Sequence, residues 1–224
     1  MIVEIINKPI RKSNYFSQSI NKDTILLHHT VSSNATSPYS WFNWESNKSR
    51  VGVAYIVGKD GKIYELFDPQ FWAYHTGTGN RNEIDQRSVG IEIVNEGWLT
   101  KKGDDYFWLD GMYPYNGNIF ESDNLWRGHR FYASYTQKQY EAVNFLIKRL
   151  FIRFPAIKKT FSNNLVFDKK YFYNDKGIIS HVNIRKDKTD LSVAYDLSQV
   201  NNLVKGYRTD YEINVEAKPI EELR

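Results

Sequence analysis

The 224-residue chain contains no cysteine. Disulfide staples, thiolate metal sites and thiol nucleophiles are therefore excluded, and any metal site must draw on His, Asp or Glu. No stretch approaches the roughly 18 consecutive apolar residues of a membrane span, and residues 1–14 lack the apolar run of a signal peptide. The 6 prolines and 13 glycines are scattered instead of gathered into a linker, and no internal repeat or low-complexity tract interrupts the chain. What is present is ordinary globular material: 41% hydrophobic and 25% charged residues can bury a core, which rules out collagen-like, coiled-coil and wholly disordered readings. The length fits one domain spanning residues 1–224.

Thirty basic against 26 acidic side chains give a net charge of +4. That excess suits an anionic polymer partner but falls short of a nucleic-acid footprint, and without a helix-turn-helix or RNA-binding signature no nucleic-acid partner is expected. Aromatic residues make up 16%, and such side chains line sugar and peptide grooves as readily as they fill cores.

Local patterns predict a series of short strands with a few helices. Ile2–Ile6 and Thr24–His29 are apolar, β-branched runs bounded by turn residues. Val51–Val57 and Lys62–Leu66 flank Lys59-Asp60-Gly61, a hairpin signal, and Val89–Val94 is a further apolar strand. Ser37-Pro38 reads as a helix start with Ser as cap. Thr136-Gln137-Lys138-Gln139 is a capping box, after which Tyr140, Val143, Ile147, Leu150, Phe151 and Phe154 recur at helical spacing until Pro155. Residues 98–134 show no clear period and read as a long irregular insertion, and residues from about 207 read as a peripheral tail.

Three separated places carry chemistry. His28 and His29 end a strand, where successive side chains face opposite ways, so only one of them can face a given site. Far downstream, His181 ends another apolar run and Asp190 follows within one loop. A His from each strand end and a nearby Asp make the three N and O ligands that an open catalytic zinc site needs, although scattered His and Asp are common in chains with no such site. Glu92, flanked by apolar residues inside its strand, must be hydrogen-bonded, metal-associated or on an exposed sheet face.

Leu26-Leu27-His28-His29-Thr30, Val53–Val57 with Lys59-Asp60-Gly61, Trp72-Ala73-Tyr74-His75-Thr76-Gly77, Ser88–Asn95, Tyr135-Thr136-Gln137, and His181 with Lys188-Thr189-Asp190 occur in the order found in zinc-dependent N-acetylmuramoyl-L-alanine amidases. From about residue 24 to 200 the sequence resembles that family, which also contains phage lysozyme-type amidases and peptidoglycan recognition proteins. The resemblance implies an α/β fold with a mixed central sheet, flanking helices and a zinc groove on one side. It implies one zinc ion on His28, His181 and Asp190, with Asp in place of a cysteine ligand as in the bacterial wall-recycling branch. Glu92 becomes the general base and acid, Lys188 the cation beside the oxyanion, and His75 a residue lining the substrate groove, with His29 facing the core; Trp72 is a further candidate substrate contact, though a tryptophan there is more often core. The chain departs from the family in lacking a proline within Ile184–Asp187. Peptidoglycan or muropeptides are the implied partner, and the implied reaction is hydrolysis of the bond between N-acetylmuramic acid and L-alanine. A non-catalytic wall-binding module of the same fold is the alternative, though recognition-only members characteristically lose a zinc ligand. Asn95-Glu96-Gly97-Trp98 and the insertion resemble envelope-located members, which favours the bacterial envelope for a chain whose leader is removed, with the cytoplasm as the alternative.

Overall fold

The computed structural model describes residues 3–79, 82–173 and 176–213. In chain order the first elements are β1 (Ile5–Asn7), β2 (Thr24–His29), α1 (Thr36–Phe42), β3 (Tyr55–Val57), β4 (Ile63–Glu65), α2 (Glu83–Arg87) and β5 (Ser88–Ile93). Next come β6 (Trp98–Lys102), β7 (Asp105–Trp108), β8 (Tyr113–Tyr115), β9 (Ile119–Trp126) and β10 (His129–Ala133). The chain continues through α3 (Gln137–Arg153), α4 (Lys170–Tyr173), β11 (Ile178–Ser180), α5 (His181–Ile184) and α6 (Leu197–Ile213). No helix among the described residues is long and apolar enough to cross a membrane.

Six strands form a mixed sheet in the order β1-β4-β3-β5-β2-β11. Its β3–β4 pair is antiparallel and joined by the expected hairpin, where Gly61 takes φ +83° and Gly58 N–H closes on the Lys62 carbonyl at 2.8 Å. The other neighbours run parallel, with Thr24 opposite Ser88 and His28 opposite Glu92. Strand alternation then sorts the side chains. Ile25, Leu27, Val89, Ile91 and Ile93 join the main core, into which α3 lowers Tyr140, Val143, Leu146, Ile147 and Leu150. On the opposite face, Leu26 and Ile179 meet Ile84 of α2, Tyr171 and Phe172 of α4 and Ile184 of α5. Both faces are covered, as parallel strands require. His28 and Glu92 belong to the second face, at the carboxyl ends of β2 and β5, where open α/β sheets place their sites.

The α3 capping box forms as its sequence predicts: Gln139 N–H donates to Thr136 Oγ1 at 3.2 Å, and Thr136 N–H donates to Gln139 Oε1 at 3.0 Å. The helix ends at Arg153, two residues before Pro155. Four expectations are corrected. Residues 98–134 are not irregular but build a second, antiparallel sheet in the order β8-β7-β6-β10-β9. The first N–H groups of α1 are satisfied not by Ser37 but by Asn34, whose Oδ1 accepts from Thr36 N–H at 2.9 Å and Ser37 N–H at 3.1 Å, because the helix begins one residue before Ser37. The first strand is Ile5–Asn7, and Ile2 lies outside the described residues. The backbone from 207 to 213 continues α6, whereas the rest of the expected tail lies outside the described residues.

Candidate metal centre

β2 delivers His28 to the end of the sheet's second face, and β11 ends at Ser180, immediately before His181 opens α5. That four-residue helix is fixed locally, since Asn183 Oδ1 accepts from both Ser180 N–H and Ser180 Oγ–H at 2.8 Å. The following loop returns so that Val182 N–H donates to the Asp190 carbonyl at 2.9 Å, which sets Asp190 beside the same helix. As a result His28 Nδ1 lies 3.0 Å from His181 Nδ1, and Asp190 Oδ2 lies 3.1 Å and 2.9 Å from these two nitrogens. All three residues are buried. Where the family resemblance led to an expected proline, Arg185 fixes the loop: it donates to the Gly77 carbonyl at 2.9 Å and, through Nε, to Asp187 Oδ1 at 2.9 Å.

The donor set fits a metal ion. His181 Nε2 lies 2.8 Å from the Thr76 carbonyl, which can only accept, so the proton is on Nε2 and Nδ1 presents a lone pair. His28 Nε2 is likewise engaged, 2.9 Å from His75 Nδ1. Burial, reinforced by the neighbouring His181, holds the His28 pKa down to about 3, so its ring is neutral. Two imidazole lone pairs and a carboxylate oxygen thus converge, an arrangement that repels itself without a cation between its members. Ligand atoms at about 2.0–2.1 Å from a tetrahedral ion are separated by roughly 3.3 Å, close to the spacings found.

Glu92 stands on the strand next to His28, in register with it. Part of its side chain is accessible, but Oε2 is buried without a hydrogen-bond partner. Burial, then the nearby negative charge of Asp190, raises its pKa well above the ordinary 4.5, while Lys188 opposes the rise. Lys188 is half-buried and close enough to act on that carboxyl. His29 points the other way, with Nδ1 2.9 Å from the Tyr135 hydroxyl. The structure therefore brings together His28, His181, Asp190, Glu92 and Lys188. It does not place His75 and Trp72 as groove contacts. The His75 side chain is 5% exposed and engaged at both ring nitrogens, and Trp72 is 6% exposed with its ring stacked on Phe16 at 3.9 Å. Thr76, Asp85 and Ser88 were not singled out by sequence reasoning; no local spacing distinguishes them from ordinary polar residues.

A mixed α/β sheet with two histidines and an aspartate gathered at its carboxyl end, beside a glutamate whose buried Oε2 has no hydrogen-bond partner, defines a protein able to hold a metal ion next to an acid–base group. Residues 18–192 match the family described as N-acetylmuramoyl-L-alanine amidase, and the chain belongs to that family. Its fold is similar to that of a selenomethionine derivative of AmpD, at 18% identity, TM-score 0.50 and coverage of 91% of this chain and 96% of that one. It is also similar to the N-acetylmuramoyl-L-alanine amidase LysC from Clostridium intestinale, at 14% identity, TM-score 0.53 and coverage of 91% and 99%. The Drosophila peptidoglycan recognition protein SD is similar at 13% identity, TM-score 0.51 and coverage of 88% and 94%. Among curated proteins nothing matches.

Proposed function

We propose that the protein is a zinc-dependent amidase that hydrolyses the bond between the lactyl group of N-acetylmuramic acid and L-alanine in peptidoglycan or its muropeptide fragments. The observation that carries this reading is the convergence of His28 Nδ1, His181 Nδ1 and Asp190 Oδ2 within about 3 Å of one another, beside the unpaired Glu92 carboxyl. When bound, zinc supplies Lewis acidity and makes water acidic near neutral pH. A cation held there also draws the Glu92 pKa back down, so that Glu92 can accept a proton. Glu92 takes the proton of water as its oxygen adds to the amide carbon, then gives it to the departing nitrogen of L-alanine as the C–N bond breaks. Lys188 places a positive charge near the developing oxyanion. The products are a lactyl carboxylate and a free peptide amine. In this reading residues 98–134 are an insertion in a single amidase domain. Asp190 as third ligand relates the protein to the wall-recycling branch, and the bacterial envelope, where the wall lies, is the favoured compartment.

A recognition module of the same fold would need neither three metal donors nor an acid–base carboxyl, and this chain keeps all of them. The test is mass analysis of purified muropeptides and intact sacculi after incubation, with and without chelator. Release of L-alanine peptides that stops with chelator and returns with zinc supports the reading, whereas retention of wall fragments uncut supports the binding module. His28→Ala, His181→Ala and Asp190→Ala should each lose zinc and activity together. Stoichiometric zinc in both the His181→Ala and Asp190→Ala proteins overturns the ligand set.

A further inference from the structure

Behind the two histidine ligands lies a buried polar layer with no part in the chemistry above. Its proton positions are dictated by groups that can act in only one direction. Ser88 Oγ–H donates to the Ile84 carbonyl at 2.5 Å, which leaves the Ser88 oxygen to accept from His75 Nε2–H at 3.0 Å. His75 Nδ1 is then a lone pair, and it accepts from His28 Nε2–H at 2.9 Å. His28 is thereby held as the Nε2–H tautomer with Nδ1 turned to the metal pocket. His181 reaches the same state by a separate route, through the Thr76 carbonyl. The two routes meet at consecutive residues, and the backbone N–H groups of His75 and Thr76 converge on a single atom, Asp85 Oδ1, at 2.8 Å and 2.9 Å. Asp85 is 2% exposed. Its charge faces the fully buried Lys22, whose Nζ donates to the Gln86 carbonyl at 2.5 Å.

We propose that Asp85 is a positioning residue for the metal centre, holding through two backbone N–H groups the outer partners that orient His28 and His181 and fix their tautomers. The metal part of this proposal rests on the zinc reading, while the tautomer part stands without it. A carboxylate oxygen that accepts two N–H bonds ties the 75–76 turn to α2 more firmly than a neutral acceptor does. Removing it loosens both ligands at once. Partners of this outer kind typically contribute about 10- to 100-fold to metal affinity.

The experiment compares the full chain with Asp85→Ala, Asp85→Asn and Ser88→Ala. Zinc dissociation constants come from competition with a chelator, and ring nitrogen NMR of the metal-free proteins reports which nitrogen of each histidine carries the proton. Asp85→Ala is expected to weaken zinc by about 10- to 100-fold and to mix the tautomers of both rings. Asp85→Asn keeps an acceptor oxygen and should recover part of the loss. Ser88→Ala should disturb the His28 ring and leave His181 unchanged. Wild-type zinc affinity and Nε2–H rings in folded Asp85→Ala overturn the proposal. If that variant does not fold, an unaltered His28 ring in Ser88→Ala overturns it. A wild-type protein that binds no zinc refutes the zinc reading instead, and Nε2–H rings in that protein that mix on loss of Asp85 still support the positioning role.

Discussion

Gly90 lies within β5 on the face that carries Glu92, and a methyl group there should damage the metal centre without touching a ligand. A Cβ at Gly90 would stand 2.9 Å from Val53 Cγ1, 3.0 Å from His75 Nδ1 and 3.2 Å from His75 Cε1. Favourable carbon contacts lie at about 3.5–4.0 Å, so its neighbours must retreat by roughly half an ångström. Val53 is short, β-branched and 1% exposed, which leaves the His75 ring to move. The adjoining cavity, lined by Val53, His75, Ser88 and Gly90 among others, is about 10 Å³, no more than the room for one water. Overpacking of this kind costs about 1–3 kcal/mol, offset by about 0.4–1 kcal/mol from the stiffer unfolded chain, since Gly90 is outside the left-handed region. At about 2–4 °C per kcal/mol for a chain of this size, metal-free Gly90→Ala should melt a few degrees lower. The pushed atom is the one that accepts from His28, so zinc affinity should fall by about tenfold or more. Calorimetry of chelator-treated protein and a zinc competition titration read the two effects separately. A wild-type melting temperature would refute the packing argument, and a lowered melting temperature with unchanged zinc affinity would refute the link from His75 to the metal.

Glu92→Gln should keep zinc while turnover falls by about 100- to 10,000-fold, and near-normal turnover would make Glu92 structural. The same substitution should alter stability with pH in the metal-free protein. Because the folded-state pKa of Glu92 is raised, the folded chain holds a proton that the unfolded chain has lost. Stability therefore falls as pH rises from about 4.5 through the folded pKa, by about 1.4 kcal/mol for each pH unit crossed. Glutamine lacks this penalty, so denaturant titrations should show Glu92→Gln gaining on wild type as pH rises above about 4.5 and not below; a constant difference would refute burial as the cause. His29→Ala removes one partner of the Tyr135 hydroxyl and should cost about 1 kcal/mol with zinc content unchanged, as metal analysis and unfolding would show. Arg127, in the β9–β10 turn, donates to the Lys186 carbonyl, two residues before Lys188. Shortening the 98–134 insertion should therefore change the relative rates on small anhydro-muropeptides and polymeric wall with zinc intact, and equal rate losses or no change would remove it as a substrate determinant.

The elements legible in the sequence are those held by near neighbours along the chain. Asp60-Gly61 marks its turn because glycine can enter the left-handed region, and the α3 capping box needs partners three residues apart. The five strands of the second sheet escaped because β9 is exposed along most of its length and shows no apolar alternation. The available signal was the series of turn glycines Gly103, Gly111 and Gly128, each between two strands that pair as a hairpin. At the site, alternation alone shows that His28 and His29 face apart. Which of them faces His181 and Asp190 was decided by α3, which covers the His29 face of the sheet and leaves His28 to α5. His28 meets His181 across 153 residues and Asp190 across 162, and no local preference carries information over such a span. The family order of motifs indicated those ligands, but only packing shows that His75 and Trp72 are turned inward and that Asp85 ties the partners of both histidines. Residue type determines which atoms can donate or accept; whether they meet depends on strand order and on the loops that bring distant strand ends together.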